Sequence, residues 1–297
     1  MVGVKFYAHT QHAHTRGKTI AEPVLSTQES LVLKCHINKA GTVSRAMERR
    51  RNLSGYSLEK NATFENVTYA GRTIRFPVVY SEQFRMSADF PISSSKATDL
   101  LPSNRLELIE VKPGTTILSV MAFEYKAIHG MRPYNEFGTF IAVNYRKSDG
   151  SLGEPGAYCL HLPVTTEEAR WGGVYIYGFP KIVAEIDFVH RGDSSTCIVW
   201  HDGKTIAELT VSRIDPKAVS GRGLCYTFKD GEILKTLVET EGLVGAGNEK
   251  SGAALKLGDH KFGKDLSHLN LGRDALECSY VPKMYSLLHK PSEHLQA

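Results

Sequence analysis

Apolar and polar residues alternate along much of the chain from about residue 66 onwards, and a period of two is typical of half-buried strands. Residues 183–189 alternate most cleanly, with Ala184, Ile186 and Phe188 on one face. Other strand-like segments span residues 116–125, 139–145 and 157–164. The pattern therefore predicts a domain that consists mainly of β-sheet.

Tight turns join several of these predicted strands into hairpins. Asp202-Gly203 and Asp230-Gly231 each lie between two alternating segments. Asp-Gly is a strong hairpin signal because type I′ turns need positive φ. Ala70-Gly71 lies in a similar position between two short strand-like runs. Successive hairpins of this kind favour an antiparallel sheet.

The helical signals are fewer and shorter. Residues 94–101 end before Pro102, residues 165–171 begin with a capping-box spacing and stop at Gly172-Gly173, and residues 281–290 suggest a terminal helix. The glycine-rich residues 242–247 are predicted to form a flexible loop. Many hairpins with few helices predict an α+β fold, with a curled or closed antiparallel β-sheet (barrel-like or cone-like) and short helices packed on it.

Composition excludes several classes of protein. Hydrophobic residues make up 41% of the chain and charged residues 23%, which supports a core and argues against extensive disorder. A net charge of +4 is too small to indicate a nucleic-acid surface. No export signal or apolar run of about 20 residues is evident, so we predict a cytoplasmic protein with no membrane partner. The five cysteines form no C-x-x-C pair, which argues against a disulfide scaffold and a Cys-rich zinc site.

Residues 1–65 differ in character from the predicted domain at 66–297. They are polar and are predicted to form an N-terminal extension that wraps the core or mediates assembly, or else a partly mobile arm. The basic residues within 45–51 lack interleaved aromatic residues, so a solvated helix face is favoured over a nucleic-acid contact. Three nearby histidines are interpreted as an accidental cluster and not as a metal site: His9, His12 and His14.

Lys181 lies in unusually apolar surroundings, between Tyr177, Phe179 and Pro180 on one side and Ile182 on the other. Desolvation disfavours an ammonium group, and a neutral amine can attack a ketone and form a Schiff base. The alternative is a lysine whose stem covers apolar surface while its head reaches water. From these residues alone, the alternative is the more common arrangement.

Segments in the same order resemble the acetoacetate decarboxylase family: residues 160–167, residues 177–181, and the C-terminal residues 254–260, 266–269 and 280–284. The resemblance extends over roughly residues 75–290. It implies a Schiff-base enzyme that acts on a small oxo-acid, needs no cofactor or metal, and assembles into a homo-oligomer.

The resemblance also implies roles for individual residues. Lys181 matches the Schiff-base lysine, and Glu136, within Tyr134-Asn135-Glu136, would hold a charge or manage a proton. Arg85 lies near the position of the arginine that binds the substrate carboxylate. Tyr177 and Phe179 would bind the substrate and exclude water, together with Tyr175. Two alternatives remain open: Glu136 as an exposed turn residue, and Arg85 as an ordinary surface residue.

Two departures from the family pattern bear on the substrate. Ile182 stands where well-studied decarboxylases of the family carry a second lysine, and Ser119 stands where a second acidic residue is expected. Acetoacetate itself is therefore a weaker candidate. We predict a lyase that decarboxylates a small β-keto acid or related oxo-acid through a lysine iminium. The alternatives are aldolase or dehydratase chemistry on the same lysine, and a non-catalytic small-molecule binding module.

Overall fold

The computed structural model describes residues 57–248 and 252–297. Within these ranges the chain forms four short helices and fifteen strands. The helices are α1 (Ser57–Asn61), α2 (Ser94–Thr98), α3 (Glu167–Tyr177) and α4 (Lys261–Ser267). The strands are β1 (Glu65–Tyr69), β2 (Arg72–Phe76), β3 (Val78–Ser93), β4 (Leu106–Leu108), β5 (Thr115–Ile128), β6 (Tyr134–Arg146), β7 (Leu152–His161), β8 (Glu185–His190), β9 (Ser194–His201), β10 (Lys204–Ser212), β11 (Lys217–Lys229), β12 (Glu232–Gly247), β13 (Ala253–Leu257), β14 (Glu277–Leu288) and β15 (Glu293–Gln296).

Seven of these strands close into a barrel. Their order is β11-β7-β6-β5-β3-β14-β12, and β12 pairs again with β11. All of these pairs are antiparallel except β11 with β7, which is parallel. The α+β prediction of a closed sheet with short helices is confirmed. The single parallel pair was not predicted, since β7 and β11 are distant in sequence.

A second sheet packs against the barrel and contains β13, β10, β9 and β8 in that order. The predicted turns at Asp202-Gly203 and Asp230-Gly231 are confirmed, and all four residues have positive φ. The Ala70-Gly71 turn likewise joins β1 to β2. One core cluster joins barrel residues such as Met86 and Phe137 to residues of the second sheet.

The predicted end of the third helix was wrong. Helix α3 continues through Gly172 and Gly173 and ends at Gly178, whose φ of 64° is left-handed. Its N-terminal cap is Thr166, whose side chain accepts from the Ala169 amide. Interior glycines weaken a helix by about 1 kcal/mol each without forbidding it, and Gly173 has a packing role that is described with the site.

Two further predictions near the C-terminus were wrong. Residues 281–290 do not form a helix, because β14 runs from Glu277 to Leu288 between β3 and β12. Pro282 is tolerated there because the register shifts between Val281 and Met284. The glycine-rich residues 242–247 belong to β12 and not to a loop. A side chain at Gly242 would meet the Lys283 carbonyl oxygen at 2.5 Å, so glycine permits the close strand approach.

The described end of the predicted N-terminal extension lies on the barrel. The amide and the hydroxyl of Ser57 both donate to Glu241 Oε2, at 2.9 and 2.8 Å. Leu58 and Phe64 pack against a small apolar cluster on β3 and β14. The boundary at residue 65 remains a prediction, and His9, His12, His14 and the basic residues 45–51 lie outside the described residues. Among the helices that the structure describes, none has the length and apolar character needed to cross a membrane.

Burial of His161 makes the fold sensitive to acid. The ring stacks on Phe262, its Nδ1 lies 3.1 Å from Thr139 Oγ1, and its Nε2 lies 3.6 Å from Asp265 Oδ2. Burial lowers the pKa of His161 from 6.5 to about 4, against the opposing attraction of Asp265, and Lys261 and His260 add to the lowering. The unfolded chain therefore binds this proton at a higher pH than the folded chain does.

We expect the free energy of unfolding to be highest above about pH 7. It should fall by about 3 kcal/mol as the pH decreases from 6.5 towards 4. Urea denaturation across this range should show the loss, and His161→Gln should flatten it relative to the native chain. His268→Gln is the control, because it removes an imidazole from an exposed position instead of a buried one. An equally steep curve for His161→Gln would contradict the assignment.

Candidate active site

Short backbone bridges bring Glu136 and Lys181 together. Val164 forms an antiparallel bridge with Glu136 and a parallel bridge with Val183. The Val164 amide donates to the Ile182 carbonyl at 2.9 Å, and the Phe137 amide donates to the Pro163 carbonyl at 3.0 Å. The segment after β7 thus aligns the start of β6 with the segment between α3 and β8. Glu136 lies in β6 and is buried, so the alternative of an exposed turn glutamate is wrong.

Lys181 and Glu136 form a buried ion pair. Lys181 Nζ lies 2.7 Å from Glu136 Oε2, and their side chains are only 6% and 7% exposed. The rings of Tyr134 and Phe179 lie near the ammonium, with centroids 5.5 and 5.7 Å from Nζ. The alternative of a lysine head that reaches water is therefore wrong. The contact with the carboxylate offsets part of the energetic cost of removing the ammonium from water.

Tyrosines surround the carboxylate. The Tyr125 hydroxyl donates to Glu136 Oε1 at 3.0 Å, and the hydroxyls of Tyr80 and Tyr134 lie 3.2 Å apart. Burial, followed by the negative charge of Glu136, raises the pKa of Tyr125 and of Tyr80 well above the usual value. Burial likewise raises the pKa of Tyr134. Tyr125 therefore stays protonated at neutral pH and orients Glu136 as a hydrogen-bond donor.

The pair faces a cavity of about 110 Å³. Its lining includes residues from all seven barrel strands, so the cavity lies within the barrel. An apolar cavity of about 150 Å³ takes up benzene, which means that this space suits a small guest. The lining is mostly apolar, and its polar side chains include Gln83, Arg85 and Ser286 together with Glu136 and Lys181.

The structure brings most of the predicted site residues together. Arg85 lies on β3 and lines the cavity, as do Phe179, Glu136 and Lys181. Tyr177 does not line it. Its ring packs between Phe76 and Phe179, with centroids 6.2 and 5.4 Å away, so Tyr177 supports Phe179 from behind.

Two other expectations concern residues near the site. Tyr175 is 53% exposed and its ring centroid lies 5.7 Å from that of Trp171, so the prediction that it shields the lysine from water was wrong. Ser119 donates to Asp89 Oδ1 at 2.6 Å, which places a buried carboxylate from β3 next to the position where a second acidic residue was expected.

Gly173 creates the space that the lysine stem occupies. A methyl group on its Cα would lie 2.5 Å from Lys181 Cε and even closer to Cδ. Such contacts are shorter than van der Waals separation, so any larger residue would force the lysine stem to move. Gly172, one position earlier in α3, has open space beyond its Cα.

Sequence reasoning missed Tyr125, Gln83 and Gly173. A signal existed for Gln83, because it lies two residues before Arg85 and a strand places such residues on the same face. Tyr125 shares its face of β5 with Phe123 for the same reason.

Sequence reasoning also gave no role to the thiol of Cys225, which lines the cavity. Burial raises the pKa of Cys225 to about 12, so this thiol is not a nucleophile at neutral pH.

Within residues 57–248 and 252–297, no group of three or more His, Cys, Asp or Glu side chains is arranged to hold a metal ion. The four cysteines in these ranges are buried.

Fold and site together define a class of protein: a closed β-barrel whose interior cavity contains a buried lysine–glutamate pair. The sequence profile of the acetoacetate decarboxylase (ADC) family matches residues 68–223, which is slightly more than half of the chain. The chain therefore belongs to the acetoacetate decarboxylase family.

Solved structures show the same fold at low sequence identity. An acetoacetate decarboxylase superposes with a TM-score of 0.56 at 16% identity, covering 75% of this chain and 91% of that protein. The acetoacetate decarboxylase of Legionella pneumophila gives 0.52 at 16% identity, covering 72% and 88%. The enduracididine biosynthesis enzyme MppR, in complex with the condensation product of pyruvate and imidazole 4-carboxaldehyde, gives 0.51 at 15%, covering 75% and 91%. A search of curated proteins found no match.

Proposed function

We propose that this protein is a Schiff-base lyase that decarboxylates a small β-keto acid or related oxo-acid through Lys181. The observation that carries the proposal is the buried 2.7 Å contact between Lys181 Nζ and Glu136 Oε2 at the wall of a small cavity. A nucleophilic amine needs an adjacent group that takes its proton, and Glu136 is placed to do so.

Within the ion pair, Glu136 serves as the base that takes a proton from Lys181. The ammonium of Lys181 passes one proton to Glu136, which leaves a neutral amine and a neutral carboxyl in a site of low polarity. The amine nitrogen then attacks the ketone carbon, and the proton held by Glu136 moves to the carbonyl oxygen. The resulting carbinolamine loses its oxygen as water, with a second proton from the nitrogen relayed by Glu136. The products are an iminium on Lys181, one water molecule and the Glu136 carboxylate.

The iminium then acts as the electron sink. In a β-keto acid, the bond to the carboxylate breaks and its electrons move towards the iminium nitrogen, which gives CO₂ and a neutral enamine. A proton added to the enamine carbon regenerates the iminium, and water releases the ketone and the lysine. Arg85 is positively charged and lines the same cavity, so it would attract the substrate carboxylate before CO₂ is lost.

The same iminium would also support an aldol-type reaction. The MppR structure contains the condensation product of pyruvate and an aldehyde, and its shared fold favours keeping this second candidate. In both reactions the first covalent step is the same.

Assembly into a homo-oligomer, which the family resemblance implies, remains a prediction.

Borohydride trapping tests the shared first step. With acetoacetate or pyruvate present, reduction is expected to leave a stable adduct on Lys181, located by peptide mass spectrometry. Lys256 is 73% exposed and is the internal control, because no adduct is expected there. Trapping with pyruvate but without release of CO₂ from any β-keto acid would favour the aldol candidate. An unmodified Lys181 with every ketone would contradict the lyase and favour a non-catalytic binding module.

A further inference from the structure

Gln83 lines the cavity and carries a side-chain oxygen that has no hydrogen-bond donor among the described residues. The residue lies on β3 and is only 2% exposed. Its Nε2 donates to Ser286 Oγ at 2.9 Å across the pair of strands β3 and β14. Its Oε1 is fully buried and has no hydrogen-bond partner among the residues that the structure describes. Gln83 and Ser286 both line the cavity that contains Lys181 and Glu136.

A buried amide oxygen without a donor carries a penalty of about 1–3 kcal/mol. Such oxygens are rare in folded proteins, and each needs an explanation, for example a catalytic role or a hydrogen-bond partner from outside the chain. Apolar side chains form most of the surrounding wall, among them Met121, Phe123, Phe140 and Leu288. A donor for Oε1 is therefore most readily supplied by a molecule inside the cavity.

We propose that Gln83 Oε1 determines substrate specificity by accepting a hydrogen bond from a hydroxyl group on the oxo-acid. The natural substrate class is then a small hydroxylated oxo-acid, and the inference rests on the proposed binding of its ketone at Lys181. A neutral hydroxyl suits this position better than an ammonium, because the two cations Arg85 and Lys181 outnumber the one carboxylate, Glu136, in the cavity lining. A site that hydrogen-bonds a substrate hydroxyl rejects the analogue that lacks it, since the buried acceptor then stays unpaired.

Two ketones of equal size provide the test. Hydroxypyruvate and 2-oxobutyrate have the same number of non-hydrogen atoms and differ in a hydroxyl that replaces a methyl. We expect the native chain to bind hydroxypyruvate about ten- to a hundredfold more tightly, as measured by calorimetry. Gln83→Met keeps an unbranched side chain and removes the acceptor, so it should bring the ratio close to one. Gln296→Met is the matched control, because it makes the same chemical change at an exposed residue outside the cavity lining, and it should keep the native ratio.

The outcomes of this test separate the role of Gln83 from the proposed function. Equal affinities in the native chain would overturn the role of Gln83, even if borohydride traps both ketones on Lys181. A preference that survives in Gln83→Met, or one that disappears in Gln296→Met instead, would also overturn it. A preference that depends on Gln83, without any adduct on Lys181, would support the inference and contradict the lyase.

Discussion

Replacement of Lys181 by methionine is expected to abolish adduct formation and turnover and to destabilise the fold by about 3–5 kcal/mol. Activity disappears because Lys181 supplies the amine that is paired with Glu136 at the cavity wall. Stability falls because Glu136, whose side chain is 7% exposed, is left without its counter-ion. The urea midpoint measures the stability, and an unchanged m-value shows that the same surface is exposed on unfolding.

A second substitution separates the two effects. Lys181→Met combined with Glu136→Gln removes both charges, so its stability should return to within about 1–2 kcal/mol of the native value while activity stays absent. Glu136→Gln alone keeps the amine and removes the group that carries its protons. It should slow trapping by about 10²–10⁴-fold. Trapping at the native rate in Glu136→Gln would contradict the proton-transfer role.

The protein contains a matched control for the ion pair. Lys256 Nζ and Glu208 Oε1 are also 2.7 Å apart, but their side chains are 73% and 29% exposed. Lys256→Met should therefore change stability by less than about 1 kcal/mol and leave activity intact, since exposed pairs contribute little. Lys181→Met and Lys256→Met break contacts of the same length. If only Lys181→Met strongly reduces the free energy of unfolding, the burial of the Lys181 pair, and not the contact alone, accounts for the effect.

Local patterns in the sequence were sufficient to predict the general architecture. The hairpin at Asp202-Gly203 depends on neighbouring residues alone, so an alternating pattern and a turn signal define it. Residues 281–290 could not be assigned in this way, because their apolar spacing fits a helix as well as a strand. Their conformation depends on pairing with β3 and β12, which lie far away in the chain.

The site was predictable in its residues but not in its geometry. The residues around Lys181 indicated an apolar environment, and the family resemblance identified Glu136. The contact between them spans 45 positions of sequence and depends on the bridges through Val164. The sequence therefore suggested a desolvated amine without a partner, whereas the structure shows a buried lysine side chain in contact with a carboxylate. This difference changes the chemical question from how the amine is kept neutral to how its proton is passed to Glu136.

Gly173→Ala is expected to slow adduct formation by about a hundredfold. The added methyl group would overlap Cδ and Cε of Lys181, and the stem must move for the protein to accommodate it. A displacement of about 1 Å in a reacting group can reduce the rate by about 10²-fold. The rate of borohydride trapping and the distribution of the adduct among lysines measure the effect.

Gly172→Ala is the matched control, because it makes the same chemical change one position earlier in the same helix. Its methyl group meets open space, so trapping should stay at the native rate. The helix should gain about 0.8–1.0 kcal/mol, as alanine is the better helix former. In Gly173→Ala the same gain is opposed by overlap with the lysine stem. Equal trapping rates in the two variants would show that the stem can move aside without moving its amine, and that the close packing against Gly173 does not position the nucleophile.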